Sequence, residues 1–573
     1  MLLRDEELYS RVRDQVEKSF AEDGDDRIGP VDLFTNNPRN RWPHGIYFRA
    51  IWALCGWTGD DAYLRRIVRH YLADRDFDYG RSRGIVSYET MLRLAEKYGE
   101  EDLKKAALAA YTRFCSRTDA GNDPTLPSEM RGDRLPHIHG VTLNEQGKMA
   151  AVVYAYTGDR DLLDAAVHLY EKLDRFHVLP DGVHSSSEAT CGSESWRTHE
   201  SCDISDYTWA LGYLLEATGD GKYADRIEYA IFNALPGAIF PGFTAIQYLS
   251  CVNQPIAARN STHIEVWKNT PRMAYQPHHY PECCVGNIGR AMPNYCARMY
   301  QTFPGGLAVS LYGPGVYDDG QTRLEQTGNY PFEDEICMRL TRKDGTPCRL
   351  KLRIPAWNNG YLLTRNGEPV SALPQNGYVD LDARSGDEFR LTLRKSFASR
   401  FSSDGGVYFT YGPFLMTLKI REKLVRDTEE PRQTTDFPAW NIYPDSPWNW
   451  AVSGWETPTL VPGKAEGCPF WTGAPFEIRI KARRLEGWEL IRAAQDRQYE
   501  AGQEGIDQKQ KDCGATEVHG ELLLTPNVPG ADYVNSHLGE EGEITLVPYG
   551  CTTIRLTVFP RYTVSTNGRN DPT

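Results

Sequence analysis

Tyr156-Thr157-Gly158-Asp159-Arg160-Asp161-Leu162-Leu163 reads as a junction between two helices. The apolar run before it ends at a glycine suited to the left-handed position just past a helix, and the aspartate that follows is a natural N-cap for the next helix. The pattern recurs in Trp57-Thr58-Gly59-Asp60-Asp61-Ala62-Tyr63-Leu64, Tyr98-Gly99-Glu100-Glu101-Asp102-Leu103 and Thr218-Gly219-Asp220-Gly221-Lys222-Tyr223-Ala224. The glycines at 59, 99, 158 and 219 lie 40, 59 and 61 residues apart, room for roughly one or two helix pairs per interval. Hairpins repeated in this way, each turning one apolar face inward, suggest an α/α toroid, with a plain α-solenoid as the alternative.

Near Phe303-Pro304-Gly305-Gly306 the apolar period changes from helical to alternating. Leu307–Tyr312, Glu335–Leu340, Arg349–Ile354 and Phe389–Leu393 read as strands between Asn-Gly, Asp-Gly and Ser-Gly turns. A Pro- and Trp-rich connection over about 421–470 is long enough to be a packed functional loop. Strands resume at Phe476–Ala482 and close with Glu543–Tyr549 and Thr553–Phe559, and the polar tail after Pro560 is expected to fray. The expected domains are therefore 1–302, helical; 303–420, a β-sandwich; and 421–573, the connection with a second β-sandwich.

Composition bounds the function. The 573 residues are 40% hydrophobic and 25% charged, with 13 Trp and 32 Tyr that suit either ring stacking on sugars or a large core. A net charge of −14 argues against nucleic acid or an anionic membrane as partner and favours a small substrate. A homo-oligomer is compatible with this composition. The start, Met1-Leu2-Leu3-Arg4-Asp5-Glu6-Glu7, has no apolar signal core, so a cytoplasmic location is expected. Thirteen cysteines without dense spacing read as reduced thiols. Cys55, Cys115, Cys296, Cys337 and Cys551 are expected to be inert core residues.

Two segments carry the chemistry: Thr198-His199-Glu200-Ser201-Cys202, and Tyr280-Pro281-Glu282-Cys283-Cys284-Val285-Gly286-Asn287-Ile288-Gly289-Arg290. Three thiols and a carboxylate can supply the four tetrahedral ligands that Zn2+ prefers. An extended segment would place Glu200 and Cys202 on one face, and Cys283 and Cys284 could share a metal if the chain bends between Pro281 and Gly286. Against this stands the reading of ordinary buried cysteines, with Glu200 capping a helix that begins near Asp203.

Glu200-Ser201-Cys202 and Cys283-Cys284-Val285-Gly286-Asn287-Ile288-Gly289-Arg290 resemble the Glu-x-Cys and Cys-Cys-x-x-Asn-x-x-Arg motifs of glycoside hydrolase family 127, the β-L-arabinofuranosidases. The resemblance extends to His139-Gly140-Val141-Thr142-Leu143-Asn144-Glu145, Leu352-Arg353-Ile354-Pro355-Ala356-Trp357, Tyr411-Gly412-Pro413 and Leu546-Val547-Pro548-Tyr549-Gly550-Cys551-Thr552. It implies an (α/α)6 barrel catalytic domain followed by β-sandwich domains. It also implies Zn2+ held by Glu200, Cys202, Cys283 and Cys284, with Cys283 as nucleophile and Glu188, in His184-Ser185-Ser186-Ser187-Glu188-Ala189, as general acid/base.

The implied activity is a retaining exo-glycosidase on terminal furanosides, foremost β-L-arabinofuranosides. A related pentose or a branched acidic sugar recognised through Arg131, Arg197 or Arg290 is the nearest alternative. A retaining glycosidase normally pairs an acid/base carboxyl with a nucleophilic one; here a thiolate would take the second role. Glu194 and Glu145 compete with Glu188. His139 is the leading candidate for sugar contact, followed by His44, Tyr248 and Asn253, while His278 and His279 could orient ligands. A zinc clamp in a carbohydrate-binding protein and a metal-free α/α-barrel hydrolase or epimerase are the readings outside this class.

Overall fold

The computed structural model describes residues 5–21, 41–75, 77, 79, 82–117, 123–264, 272–279, 282–465, 467–494 and 521–563. The chain divides into two compact units, Met1–Leu173 and Asp174–Thr573, and is a multidomain protein of helices and sheets. Pro281 and the tail from 564, for which a bend and fraying are expected, lie outside the described residues.

In the first unit helix follows helix: Trp42–Thr58, Ala62–Ala73, Ser87–Tyr98, Glu101–Cys115, Gly140–Gly147 and Met149–Thr157. The junctions form as the sequence suggests. Gly59 and Gly158 take φ values of 70° and 73°, a region that costs an L-residue strain. Thr58 and Thr157 hydroxyls accept from Asp60 and Asp159 N–H at 3.1 and 3.2 Å, and those aspartates accept from Ala62 and Asp161 N–H at 2.9 and 3.0 Å. The hydroxyl and carboxylate together satisfy backbone donors that a helix start leaves unpaired. Glu100 makes no such side-chain cap. Its junction has Tyr98 where the others have threonine.

The second unit repeats the device once, at Thr218-Gly219-Asp220, between helices Ser201–Thr218 and Gly221–Phe232. Helix gives way to strand where the periodicity changes: the last helix before the sheets is Ala291–Ala297 and the first strand after it is Tyr300–Phe303. A four-stranded and a six-stranded sheet follow, built from strands between Tyr300 and Leu393. Thr322–Thr327 alternates strictly between buried and exposed residues, as a strand with one face on a core must.

A seven-stranded sheet comes next. Phe397–Phe401, Val407–Tyr411 and Phe414–Leu418 continue through Leu538–Pro548 to Phe476–Leu485. That sheet runs across the boundary expected at 420, because Phe414–Leu418 finds its partner in Leu538–Pro548. Phe409, Phe414, Met416, Ile478, Ile480, Leu546 and Ile554 form its core.

The 421–470 connection is packed. It opens with a hairpin of Glu422–Arg426 and Trp440–Pro444, and Trp440 stacks on Phe240 at 5.5 Å. Buried Arg259 pairs with Asp427 at 2.7 Å and Glu430 at 3.4 Å, and Arg432 reaches Glu282 at 2.8 Å. Among the five cysteines expected to be inert, only Cys55 is buried; Cys115, Cys296, Cys337 and Cys551 are half-buried. No helix among the described residues is long and apolar enough to cross a membrane.

Strand Ser261–His263 pairs in parallel with Glu521–Thr525. Its buried His263 has its pKa pushed down to about 3, because desolvation disfavours the imidazolium. The unfolded chain protonates this ring near pH 6.5. The contribution is thus present in full above that pH and is lost as the pH falls from about 6.5 towards 3. Denaturation midpoints measured from pH 7.5 to 4.5 should fall, and His263→Gln should flatten the decline between pH 6.5 and 5, above the range where carboxylates titrate. An unchanged slope in that variant would refute the assignment.

Candidate active site

Four ligand-bearing side chains from two segments meet in the second unit. Glu200 ends strand Thr198–Glu200, which pairs antiparallel with Leu249–Cys251. Its backbone is extended (φ −74°, ψ 139°) at the N-cap of helix Ser201–Thr218, yet its side chain makes no cap hydrogen bond. Cys202 stands in that helix's first turn, where the positive end of the helix dipole favours a thiolate. The expected bend between Pro281 and Gly286 is replaced by a helix, Cys283–Ile288, that starts at the first of the paired cysteines. Neighbouring residues on a helix are about 100° apart, so both thiols can turn to one centre without a kink.

The donor atoms of Glu200, Cys202, Cys283 and Cys284 all lie within 4.8 Å of one another. Cys202 Sγ and Cys284 Sγ are 3.4 Å apart, and Glu200 Oε1 is 3.3 Å from Cys283 Sγ and 3.6 Å from Cys284 Sγ. Ligands on one zinc ion at about 2.0–2.3 Å are necessarily separated by roughly 3–4 Å, so this group could hold a metal ion. Cys202, Cys284 and Glu200 are buried, and Cys283 is partly open. The Cys283 thiol is pushed down to about 3, first by hydrogen bonds from the Cys202 and Cys284 thiols. Burial pushes those two well above the usual range.

Around the thiols lies a supporting layer. Asn287 Nδ2 donates to Cys202 Sγ at 3.1 Å, and its Oδ1 accepts from Arg290 at 2.8 Å. Arg290 is in turn held by buried Asp206 at 3.1 Å. Asp181 Oδ2 lies 2.7 Å from His199 Nε2 and accepts from Tyr549 at 3.3 Å, which fixes the residue before Glu200.

Glu188 sits on the segment that leads to Thr198. Its φ of 82° is unusual for a residue with a Cβ. The segment is pinned by Ser186 N–H to Thr198 O at 2.7 Å and by the Ser187–Thr198 hydroxyl pair at 2.5 Å. Glu188 Oε1 accepts from Tyr248 at 3.2 Å and from Arg272 Nη1 at 2.5 Å. Tyr248 thus stands beside the candidate acid/base. Its own pKa is pushed far up, first by burial and then by the negative charges of Glu200 and Cys283.

The other candidates separate. Glu194 pairs with Arg197 at 2.9 Å, and buried His279 donates from Nε2 to Ile246 O at 2.8 Å. Asn253 does not fit sugar contact: its Oδ1 accepts from Thr557 and Val558 N–H at 3.0 and 2.9 Å, and its Nδ2 donates to Val558 O at 2.9 Å. Both polar groups of that side chain are spent on the backbone just past strand Arg555–Leu556.

In the first unit, His139 caps helix Gly140–Gly147 by accepting from Thr142 N–H at 3.3 Å. Glu145 accepts from Trp42 at 3.0 Å. His44 packs beside His70 at 5.2 Å, its pKa lowered to about 4 by burial and then by Arg41. Arg272 is the residue that sequence reasoning missed. It pairs with a glutamate 84 positions away, and its local sequence carries no motif.

The chain matches two family models: "Beta-L-arabinofuranosidase, GH127 catalytic domain" over residues 42–296 and "Beta-L-arabinofuranosidase, GH127 middle domain" over 306–395. It is 24% identical over 301 residues to a non-reducing end β-L-arabinofuranosidase of Bifidobacterium longum subsp. longum, covering 48% of this chain and 43% of that relative's length. The chain thus spans less than half of the curated relative it matches. A crystal structure of a GH127 β-L-arabinofuranosidase from Geobacillus stearothermophilus T6 superposes with a TM-score of 0.69 at 17% identity, covering 98% of this chain and 87% of that one. The GH127 β-arabinofuranosidase BT3674 gives 0.68 at 15% identity, covering 97% and 85%.

Proposed function

Because the chain belongs to glycoside hydrolase family 127, we propose that it is a retaining exo-glycosidase acting on terminal β-L-arabinofuranosides, with Cys283 as nucleophile and Glu188 as acid/base. The observation that carries this reading is the position of the Glu200 carboxylate, 3.3 Å from the Cys283 sulfur and within 4.8 Å of a Glu188 carboxylate oxygen. A nucleophile and an acid/base that both lie close to one carboxylate can flank a single anomeric carbon.

The reaction runs in two steps. The Cys283 sulfur attacks the anomeric carbon and forms a C–S bond while the C–O bond to the leaving group breaks. The departing oxygen takes its proton from Glu188. A water molecule then attacks the same carbon, the C–S bond breaks, and Glu188 takes the proton of the water. The donor set suits Zn2+, held by Glu200, Cys202, Cys283 and Cys284. Bound zinc would keep the thiols deprotonated at neutral pH and serve as their counter-ion. Asn287, donating to Cys202, makes that sulfur the poorer nucleophile and leaves Cys283 as the one to react. The helices of 1–302 would form the (α/α)6 barrel of the catalytic domain.

Metal analysis of reduced protein together with an activity screen over aryl pentofuranosides tests the whole reading. The expected result is about one zinc per chain, turnover of the β-L-arabinofuranoside with retention of configuration, and loss of that turnover in Glu188→Gln by roughly 10²–10⁴-fold on unactivated substrates. Zinc with no turnover anywhere on the panel would instead favour a structural clamp in a carbohydrate-binding protein.

A further inference from the structure

We infer that Arg272 is the positioning residue for the acid/base, a role that rests on the reading of Glu188 given above. Three observations converge on it. Its guanidinium holds Glu188 Oε1 at 2.5 Å in a part-buried setting, its side chain only 14% exposed. The same guanidinium lies 4.5 Å from the centre of the Tyr248 ring, and the Tyr248 hydroxyl donates to the same glutamate oxygen. The Arg272 carbonyl accepts from the N–H groups of Tyr248 and Leu249 at 3.0 Å each, and Leu249 is the register partner of Glu200.

These contacts form one mechanical link. Glu188 sits in a left-handed backbone conformation, which costs a residue with a Cβ about 1–3 kcal/mol and persists only where its surroundings hold it. At 44% exposure its side chain has little packing of its own to fix it. Arg272 fastens the carboxylate at one end and, through its carbonyl, grips the strand that pairs with the Glu200 strand at the other. The distance between the proton-carrying group and the thiols is therefore set by Arg272. A planar guanidinium that stacks on a ring while gripping a carboxylate is poorly replaced by an ammonium group. Misplacing a catalytic group by about 1 Å can cost on the order of 10²-fold in rate.

Arg272→Gln and Arg272→Lys, as zinc-loaded full-length protein, are compared with wild type and Glu188→Gln on two β-L-arabinofuranosides. The methyl glycoside needs its leaving group protonated, and the 2,4-dinitrophenyl glycoside does not. For Arg272→Gln, kcat on the methyl glycoside should drop by roughly 10²-fold with KM changed little. On the dinitrophenyl glycoside a burst of one equivalent of phenolate should precede a slow steady state. Azide, a nucleophile that needs no base, should restore that steady rate, and zinc content should match wild type. Arg272→Lys should recover part of the loss.

Equal losses on both substrates without azide rescue would overturn the inference, since a merely structural residue gives that result, as would wild-type kinetics in both variants. If Glu188→Gln itself lacks the burst and the rescue, or wild type turns over neither glycoside, the assignment of Glu188 fails first and takes Arg272 with it.

Discussion

Cys283→Ala should abolish hydrolysis, lowering kcat by roughly 10⁴- to 10⁶-fold, in the range found when a covalent nucleophile is removed from a hydrolase. No other sulfur can take over. Cys202 and Cys284 are buried, Cys202 carries the Asn287 hydrogen bond, and Cys283 is the one partly open sulfur of the three. The fold should survive, because Cys283 is only half-buried at the start of a short helix and three ligand side chains remain. Zinc content and far-UV circular dichroism are measured alongside kcat. Cys202→Ala separates metal loss from loss of the nucleophile: with zinc in excess it should regain activity that Cys283→Ala does not. Activity in Cys283→Ala within tenfold of wild type would eliminate the thiolate mechanism.

The second large effect is on stability. Arg353, fully buried, ends strand Cys348–Arg353 and pairs with Glu228 and Asp225 of helix Gly221–Phe232. Glu228 is 1% exposed and also accepts from Tyr330 at 2.6 Å and Trp357 at 3.0 Å. Glu228→Leu leaves a buried guanidinium with only the partly exposed Asp225 for charge, and two further donors unpaired. Removing one partner of such a pair costs about 3–5 kcal/mol. Urea unfolding should show that loss in the transition of the second unit. The double variant Glu228→Leu with Arg353→Met should lose less than Glu228→Leu alone, because the uncompensated charge goes too. Additive losses would mean that the charges are not what joins this helix to the sheet.

The features that were legible in the sequence are those with local causes. Each Thr-Gly-Asp junction writes its own hydrogen bonds within five residues, so Gly59, Gly158 and Gly219 could be placed without knowing any neighbour. Alternation in Thr322–Thr327 follows from the pleat alone. The four ligand residues were legible as a set of donor types, although the helix that presents Cys283 and Cys284 was not, because Val285-Gly286 is poor helix sequence and tertiary contacts decide the outcome. Asn253 misled for the same reason in reverse: its value lies in a segment 305 positions away, which no local pattern announces. Arg272 was invisible until the chain brought it to Glu188.

That distant segment has a consequence for how the molecule is made. Asn253 holds the Thr557–Val558 backbone, and Arg555 lies buried against Gly237 O and the Tyr275 hydroxyl at 2.6 and 2.9 Å. A ribosome adding about 5–20 residues per second needs roughly 15–60 s to cover the 305 positions between Asn253 and Val558. Once Cys284 is made, 274 residues before Val558, Cys202, Cys283 and Cys284 are all present for roughly 14–55 s before that segment follows. For that interval the nascent chain carries reactive thiols and the unpaired edge of strand Asn253–Gln254 in reach of oxidants, metal ions and chaperones.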